Sequence, residues 1–403
     1  MQQASTIRAV IDIGSNTLEV LVARCQPNEL ETIEHRSTLA RLGESVNENG
    51  EISSDKTKTA VDTVREYQEL AKQRGAEQIL ALATEALREA SNKQEFLDTI
   101  KREAGVEVQL ISGYAEAALD YYGATCSPNT PLDAGVLDVG GGSTEIVTAK
   151  NGQITWLTSV PIGSGAIHDR YLHSDPATYQ EMEAARSYLA HYMQTLRIPA
   201  MPPALVVTGS SASSLLKLAQ HAFKLDENTH RMTHSDLSAC LGLLNALPAE
   251  EIAKRFEQKI ERARILAAGA LVIQAVMQYV HLDEIHISSQ GVREGAVHDN
   301  DVLIALLRLC LGSEDAGLTY EQALVKAGKR KSKEKLLLPS DMVTAVLAPD
   351  VAPDAAQRYG LEQLLLKQSQ LREEHYQAFR RHWHQLQARD FRRELLDLLS
   401  DNA

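Results

Sequence analysis

Two stretches of this chain place an aspartate near the end of an apolar run and follow it with a turn of small and polar residues. The first reads VIDIGSNTLEVLVA from Val10, and the second reads VLDVGGGSTEIVTA from Val136. A gap-free alignment of the two stretches pairs identical residues: Asp12 with Asp138, Gly14 with Gly140, and Glu19 with Glu145. Such turns direct several backbone N–H groups to one point, where they bind phosphate oxygens. A single copy is more often only a tight hairpin, but the matched pair favours a phosphate site.

The phosphate contacts are expected from the residues of these turns. The predicted set is Gly14, Ser15, Asn16 and Thr17 in the first turn, and Gly140, Gly141, Gly142, Ser143 and Thr144 in the second. A weaker third candidate follows the apolar run 204–208 and consists of Gly209, Ser210 and Ser211.

The two aspartates are suited to magnesium. Asp12 and Asp138 each stand beside a turn that could hold phosphate. Mg²⁺ favours oxygen ligands and is usually held by one or two carboxylates together with substrate phosphates. A lone aspartate more often caps its own turn, whereas the matched pair favours a metal site.

Short apolar runs alternate with helical patterns over the first 300 residues or so, which predicts an α/β protein. A repeat at this long separation indicates two duplicated domains rather than a solenoid. We place the domains at 1–128 and 129–300. Beyond them the strand signals end, and residues 301–403 are expected to form a helical segment. Its basic run from Lys326 to Lys335 is usually a solvated loop; a polyphosphate track is the alternative.

Missing motifs exclude several common sites. The chain has no G-x-x-x-x-G-K-[ST], no G-x-G-x-x-G opening a helix after a strand, and no H-E-x-x-H. The four cysteines form no zinc pattern. A formal net charge of −13 at pH 7 argues against a protein that coats nucleic acid. A local basic groove could still bind a polyanion.

The expected location is the cytoplasm. The first residues, Met1 to Arg8, are polar and do not resemble a signal peptide. The most apolar stretch, Ile265 to Val280, contains two glutamines and is short for a membrane span. Widely separated cysteines fit reduced thiols. We therefore expect a soluble protein that binds neither a membrane nor a nucleic-acid duplex.

Taken together, five motifs resemble those of the Ppx/GppA family of exopolyphosphatases and guanosine pentaphosphate phosphohydrolases. In order they are VIDIGSNT from Val10, ATEALREASN from Ala83, ISGYAEAAL from Ile111, VLDVGGGSTEIV from Val136 and GVREGAV from Gly291. The resemblance implies two actin-like α/β domains of the ribonuclease H-like (ASKHA) superfold, with the active site in the cleft between them. Such a pair of domains would also produce the internal repeat.

The resemblance also implies roles for single residues. Glu116 falls on the family's proposed general base for water, and Arg88 on the basic, phosphate-binding position of T-x-x-L-R. Asp138 and Glu145 fall on acidic positions that serve metal and water, so the expected magnesium ligands are Asp138, Asp12 and Glu145. Without the resemblance, Glu116 could simply favour a helix dipole, and Arg88 could be an ordinary solvated residue.

The chain departs from the family pattern at four places. Ala115 replaces the first glutamate of S-G-x-E-E-A, and Glu19 stands where relatives often carry a basic or polar residue. Arg264 stands where E-R-x-D has an acid, and Gly209-Ser210-Ser211 replaces the usual third loop. Each departure could alter substrate contacts or metal affinity.

Three functions remain open. The first is an exopolyphosphatase that releases orthophosphate from inorganic polyphosphate by Mg²⁺-assisted attack of water, with Glu116 as base. The second is a guanosine pentaphosphate (pppGpp) 5′-phosphohydrolase, and the third is a non-enzymatic polyanion or nucleotide sensor. The last hundred or so residues are short for the HD-type domain of long family members. We interpret them as a helical cap or dimer element and expect a homodimer.

Overall fold

The computed structural model describes residues 6–298 except 27–28, 112, 126–129, 132, 151–152, 197 and 199–201. By its internal contacts the chain divides into two units. The first comprises Met1–Gly152 and Leu157–His298, and it contains all the site residues discussed below. The second comprises Gln153–Trp156 and Asp299–Ala403. The predicted helical segment 301–403 and its basic run lie outside the described residues.

The first sheet has five strands in the order β3-β2-β1-β4-β5. Their bounds are β1 Thr6–Ile13, β2 Thr17–Gln26, β3 Glu29–Leu39, β4 Gln78–Ala83 and β5 Val108–Leu110. Strands β1, β2 and β3 pair antiparallel, whereas β4 pairs parallel with both β1 and β5. The consecutive apolar residues Ala9, Val10 and Ile11 of β1 are all buried, as expected for a strand that is covered on both faces.

The second sheet has six strands in the order β10-β11-β9-β6-β7-β8. Their bounds are β6 Ala134–Val139, β7 Thr144–Lys150, β8 Gln153–Val160, β9 Ala204–Thr208, β10 Arg231–Thr233 and β11 Glu284–Ile287. Strand β6 pairs antiparallel with β7 on one side and parallel with β9 on the other. Strand β1 of the first sheet likewise pairs antiparallel with β2 and parallel with β4. Both sheets therefore contain the same three-strand arrangement.

The predicted repeat is confirmed at the level of register. In the first sheet Asp12 lies opposite Glu19 across the β1–β2 pair. In the second sheet Asp138 lies opposite Glu145 across the β6–β7 pair. Each copy is thus a strand, a short turn and a second strand. The turn follows the aspartate–glutamate pair at the equivalent position in each sheet.

Twelve helices accompany the two sheets in the described part of the chain. Their bounds are α1 Leu42–Asn49, α2 Ser54–Gln73, α3 Glu85–Glu89, α4 Lys93–Ala104, α5 Gly113–Thr125, α6 Ser164–Tyr171, α7 Tyr179–Leu196, α8 Gly209–Phe223, α9 His234–Ala246, α10 Ala249–Arg255, α11 Ile260–Val280 and α12 Val292–His298. Buried apolar side chains of α2 and α4, including Tyr67, Phe96 and Ile100, join the core of the first sheet.

Helix α11 is apolar because it is a core helix. By length and composition it could cross a membrane, yet 72% of its most apolar window is buried inside the fold. It contacts α6, α7, α8 and α9. Its polar Gln274 is satisfied there, since the side-chain amide donates to Ser238 Oγ at 3.3 Å. Burial within the protein therefore explains the hydropathy of this segment.

Two elements differ from the sequence-based expectation. Residues Gly209, Ser210 and Ser211 do not form a loop but begin helix α8. Strand β3, which the sequence analysis did not predict, carries polar residues through most of its length. It lies at the edge of the sheet and forms backbone hydrogen bonds with β2. This pairing, rather than an alternation of apolar residues, explains why the segment is a strand.

Candidate functional site

The turns of the two repeats line one cavity of about 340 Å³, which we call the inner cavity. The two turns lie close together, because a Cβ added to Gly141 would lie 3.6 Å from the Cβ atoms of Ser15 and Asn16. The predicted site residues in its lining are Asp12, Gly14, Ser15, Asn16, Thr17, Glu116, Asp138, Gly140, Gly141, Gly142, Ser143, Gly209 and Ser210. Segments more than 100 residues apart in sequence therefore meet at one place.

Each turn is closed in the same way. Gly14 N donates to Thr17 O at 3.0 Å, and Gly140 N donates to Ser143 O at 3.1 Å. In each turn the N–H of the first residue thus bonds to the carbonyl of the fourth, and the chain reverses over these four residues. The two turns are therefore geometric equivalents as well as sequence equivalents.

The carbonyl groups of both turns are held from behind. In the first turn, Asn16 O accepts from Ala40 N at 3.0 Å and from Arg41 N at 2.9 Å. In the second turn, Gly141 O accepts from Gly165 N at 2.7 Å and from Ala166 N at 3.1 Å. Within the described residues, no backbone hydrogen bond engages the N–H groups of Asn16 or Gly141. These donors are available to an anion, as in other phosphate-binding nests.

Glu116 and Arg88 form a buried ion pair beside the cavity. Arg88 Nη1 donates to Glu116 Oε2 at 2.7 Å and also to Ile111 O at 3.0 Å. The side chain of Arg88 is only 19% exposed and that of Glu116 only 10%. Glu116 lies in the first turn of α5 and faces the inner cavity. Since Arg88 engages one carboxylate oxygen, the ion pair orients Glu116 without occupying both of its oxygens.

Three carboxylates converge behind the second turn. One oxygen each of Asp120, Asp138 and Glu145 lies within 4.8 Å of the others, close enough to share a cation. Asp138 Oδ1 accepts from Thr208 Oγ1 at 3.0 Å, and Glu145 Oε1 accepts from Ser159 Oγ at 2.6 Å. The predicted metal ligands Asp138 and Glu145 are thus brought together, and Asp12 lines the adjacent inner cavity.

Asp120 is the acidic residue that sequence reasoning missed. It is 1% exposed and follows Glu116 by four residues on helix α5. Residues at this spacing lie on the same helix face. The Glu-x-x-x-Asp spacing of Glu116 and Asp120 was therefore the available signal. Only the packing of α5 against the second sheet revealed which side of the helix faces the cluster.

Burial and mutual repulsion favour the protonated forms of these acids. Burial raises the pKa of Asp120 and of Glu145 well above the ordinary range, and neighbouring carboxylates add to both shifts. Burial also raises the pKa of Glu116 to about 7, against the opposing charge of Arg88. The same cause raises the pKa of Asp12 to about 7, with Arg293 opposing. A nearby cation would reverse this balance.

The cluster fits a hard divalent cation such as Mg²⁺. Three buried carboxylate oxygens have no hydrogen-bond partner among the described residues: Asp12 Oδ1, Asp120 Oδ2 and Glu145 Oε2. Buried charged oxygens are normally paired or bound to a metal. Oxygen ligands of this kind match the preference of Mg²⁺.

Three predicted phosphate contacts, Thr144, Ser211 and Arg88, are not in the lining of the inner cavity. Thr144 is fully buried at the start of β7, and its hydroxyl donates to Ile162 O at 3.1 Å. Ser211 is fully buried in α8.

Gly209 lies directly beside Asp138. Its φ is +89°, and a Cβ there would overlap Asp138 Oδ1. Glycine therefore lets α8 begin directly beside that carboxylate.

Helix α12 closes the other side of the cavity. Arg293 forms an ion pair with Glu19, and both side chains are largely buried. Glu19, a departure from the family pattern, is therefore compensated by a cation inside the same cavity. Glu294 Oε2 accepts from Gly291 N at 2.8 Å, which holds the start of the helix.

A larger cavity of about 880 Å³ adjoins the first, and we call it the outer cavity. The predicted phosphate contact Arg88 lines it together with Arg41 and Arg264. The two cavities share part of their lining, including Ser15 and Gly142. The inner cavity therefore adjoins a larger cavity whose lining carries three arginines and five acids.

Comparison with protein families gives one match that covers most of the chain. Residues 21–301 match the model of the Ppx/GppA phosphatase family. Exopolyphosphatase 1 of Mycobacterium tuberculosis (strain ATCC 25618 / H37Rv) is 27% identical over 301 residues, which span 72% of this chain and 86% of the relative. Exopolyphosphatase 1 of Mycobacterium leprae (strain TN) is 26% identical over 302 residues, which span 72% and 87%.

Solved structures agree. A Ppx/GppA family member from Aquifex aeolicus is 28% identical with a TM-score of 0.65, covering 73% of this chain and 97% of that one. An exopolyphosphatase from Cytophaga hutchinsonii, at 24% identity and a TM-score of 0.64, covers 75% and 98% and supports the fold. The two sheets with their repeated hairpins are accordingly those of the α/β actin-like fold, and the chain belongs to the Ppx/GppA phosphatase family.

Proposed function

We propose that this protein hydrolyses the terminal phosphoanhydride bond of inorganic polyphosphate and releases orthophosphate. One observation carries the proposal: two equivalent phosphate-type turns face a single cavity that also holds Glu116 and adjoins the acidic cluster. Relatives that bear the name exopolyphosphatase support the choice of substrate. Hydrolysis of such a bond requires an oriented water, charge neutralisation and a group that accepts a proton.

Glu116 is the proposed general base. Its carboxylate takes a proton from water as the water oxygen attacks the terminal phosphorus, and the shortened polyphosphate leaves with the bridging oxygen. A base works best when its pKa lies near the working pH, and burial raises the pKa of Glu116 to about 7. Arg88, bonded to one oxygen of Glu116, directs the other oxygen to the water.

The two turns are the proposed binding site for the terminal phosphoryl group. Their N–H groups would donate to it; those of Asn16 and Gly141 make no backbone hydrogen bond among the described residues, while the carbonyls of the same residues are held by neighbouring N–H groups. Preorganised donors of this kind typically contribute about 2.7–4 kcal/mol each to transition-state stabilisation. Thr144 and Ser211 do not belong to this site, because both are buried and neither lines the inner cavity.

Asp120, Asp138 and Glu145 are the proposed metal ligands, with Asp12 at the cavity side of the same site. A bound Mg²⁺ would supply neutralisation of the phosphate charge there. The remaining phosphates of the substrate would extend into the outer cavity, whose lining carries Arg41, Arg88 and Arg264. Five acids line the same cavity, namely Glu44, Glu85, Glu89, Asp169 and Glu261, so cations would have to accompany the phosphates there as well.

Guanosine pentaphosphate is the second candidate substrate. It also ends in a phosphoanhydride, and the outer cavity of about 880 Å³ has room for more than a phosphate chain. A non-enzymatic sensor is the third candidate, favoured by the departures at Ala115 and Glu19.

Phosphate release separates the three candidates. Long-chain polyphosphate, pppGpp and ATP are compared with and without Mg²⁺. We expect Mg²⁺-dependent release with the highest kcat/KM on polyphosphate. Higher kcat/KM on pppGpp would favour the second candidate. Binding of either substrate without any phosphate release would favour the sensor.

A further inference from the structure

A carboxylate with no role in the proposed chemistry lies between the two turns. It belongs to Glu85, the first residue of α3. Ser15 Oγ donates to Glu85 Oε2 at 2.7 Å and accepts from Ala86 N at 3.2 Å. A hydroxyl has one hydrogen to donate. In this arrangement the Ser15 hydroxyl gives it to Glu85 and has none for a phosphate oxygen.

The same carboxylate also contacts the second turn. A Cβ built on Gly142 would lie 2.6 Å from Glu85 Oε1 and closer still to the other carboxylate atoms. The absence of a side chain at Gly142 is therefore what allows Glu85 to reach this position. Glu85 touches both phosphate-type turns at once.

Its position is the junction between the two cavities. Glu85 lines both the inner and the outer cavity, and so do its contacts Ser15 and Gly142. A phosphate chain that extends from one cavity into the other passes this point. A carboxylate and a phosphate are both anionic acceptors, so they compete for the same donor and repel each other.

We propose that Glu85 is an internal anion that competes with substrate phosphate for the junction and thereby sets substrate affinity. In the competing state Ser15 donates to Glu85. When a phosphate enters, Ser15 donates to a phosphate oxygen, and Glu85 turns towards the outer cavity. The inference rests on the proposed function only for the class of ligand, a phosphoanhydride chain.

Binding of methylenediphosphonate tests the proposal without turnover, because its P–C–P bridge is not hydrolysed. Its dissociation constant is measured by calorimetry at saturating Mg²⁺ for the wild type, Glu85→Ala and Glu85→Gln. We expect roughly tenfold tighter binding in both variants, equivalent to about 1.4 kcal/mol. Glu85→Gln keeps the shape of the side chain and an oxygen for Ser15, so it tests the charge even if Glu85→Ala folds poorly.

Glu89→Gln is the matched control. Glu89 ends the same helix, is exposed and also lines the outer cavity. Its binding constant should stay within about twofold of wild type, because a solvent-exposed charge is well screened. Unchanged or weaker binding in Glu85→Gln would overturn the proposal, and so would equal tightening in Glu89→Gln.

Phosphate-release assays on the same samples keep the two claims separate. Loss of the proposed function would show as a wild type that releases no phosphate from polyphosphate or pppGpp. Tighter diphosphonate binding in the Glu85 variants would still support the competing anion in that case. A general structural role for Glu85 would instead lower the midpoint of thermal unfolding and weaken binding.

Discussion

At the scale of single residues, helix α5 carries two acids with different environments one turn apart. Glu116 is paired with Arg88 and faces the inner cavity. Asp120 lies deeper, 1% exposed, and shares the acidic cluster with Asp138 and Glu145. The first environment suits a base that must reach water, and the second suits a ligand that must stay dry.

Replacing Glu116 by glutamine tests the base directly. Glu116→Gln keeps the shape and a hydrogen-bond acceptor for Arg88 but cannot take a proton. We expect kcat for phosphate release to fall by about 10²–10⁴-fold, the usual contribution of general base catalysis. The thermal unfolding midpoint serves as the folding control. Wild-type turnover in the folded variant would remove Glu116 from this role.

Asp120→Asn tests the residue that the sequence did not point to. Loss of one anionic oxygen from the cluster should raise the Mg²⁺ concentration for half-maximal activity by at least about tenfold, in line with metal-site substitutions. High Mg²⁺ should restore most of kcat. Asp62→Asn, on the exposed face of α2, is the control and should leave the Mg²⁺ requirement unchanged. An unaltered requirement in Asp120→Asn would exclude Asp120 as a ligand.

At the scale of elements, the second turn depends on the start of helix α6. Gly163 N donates to Gly142 O at 2.8 Å, and Ser164 N donates to Gly140 O at 2.9 Å. A Cβ on Gly163 would lie 2.5 Å from the carbonyl of Gly141 and 2.6 Å from the carbonyl carbon of Gly142. Backbone meets backbone here, so neither side can yield by a rotamer change.

Gly163→Ala should therefore displace the turn. We expect a stability loss of about 1–3 kcal/mol, typical of overpacking, together with a higher KM because the turn's N–H groups move. Denaturant unfolding and phosphate-release kinetics measure the two effects. Gly242→Ala in α9 is the control, since a Cβ there meets nothing within 4 Å. Alanine should be neutral or stabilising at that helical position. Equal behaviour of the two variants would contradict the role of the close contact.

A second close approach sets the position of α5. A Cβ on Gly123 would overlap the carbonyl of Gly291, and one on Gly295 would overlap the carbonyl of Leu119. Helices α5 and α12 thus cross almost backbone to backbone. This crossing brings Arg293 and Gly291 to the same cavity as Glu116 and explains why the motif GVREGAV contributes to a site far away in sequence.

At the scale of the whole molecule, negative charge dominates both the composition and the site. The chain carries a formal charge of −13 at pH 7. Among the described residues, six acids line the inner cavity, namely Asp12, Glu19, Glu85, Glu116, Asp120 and Asp138, against the arginines Arg262 and Arg293. A polyanionic substrate would be repelled there unless cations accompany it.

Removal of divalent cations should consequently abolish activity. In excess EDTA we expect phosphate release to fall below detection and to return on addition of Mg²⁺. Mg²⁺ should also raise the thermal unfolding midpoint of the metal-free protein, since a cation that binds only the folded state stabilises it. Potassium chloride at matched ionic strength is the control. Full activity in EDTA would contradict the metal site.

The predicted domains 1–128 and 129–300 stay a prediction. One sheet uses strands from residues 6–110 and the other uses strands from 134–287. The predicted boundary at 128 and 129 falls on residues outside the described part, so it stays a prediction. The same holds for the homodimer and for the helical segment 301–403.

The local sequence was sufficient for the two hairpins and their turns. Apolar β-branched runs and small turn residues act over only a few positions, so Asp12, Asp138 and the glycines beside them could be located without a structure. Motif resemblance added Glu116 and Arg88. Tertiary structure alone decided which acids lie close enough to share a cation, where Glu85 and Asp120 lie, and that Thr144 and Ser211 are buried. Those facts depend on distances between residues far apart in the chain, which are determined by the packing of helices on the two sheets.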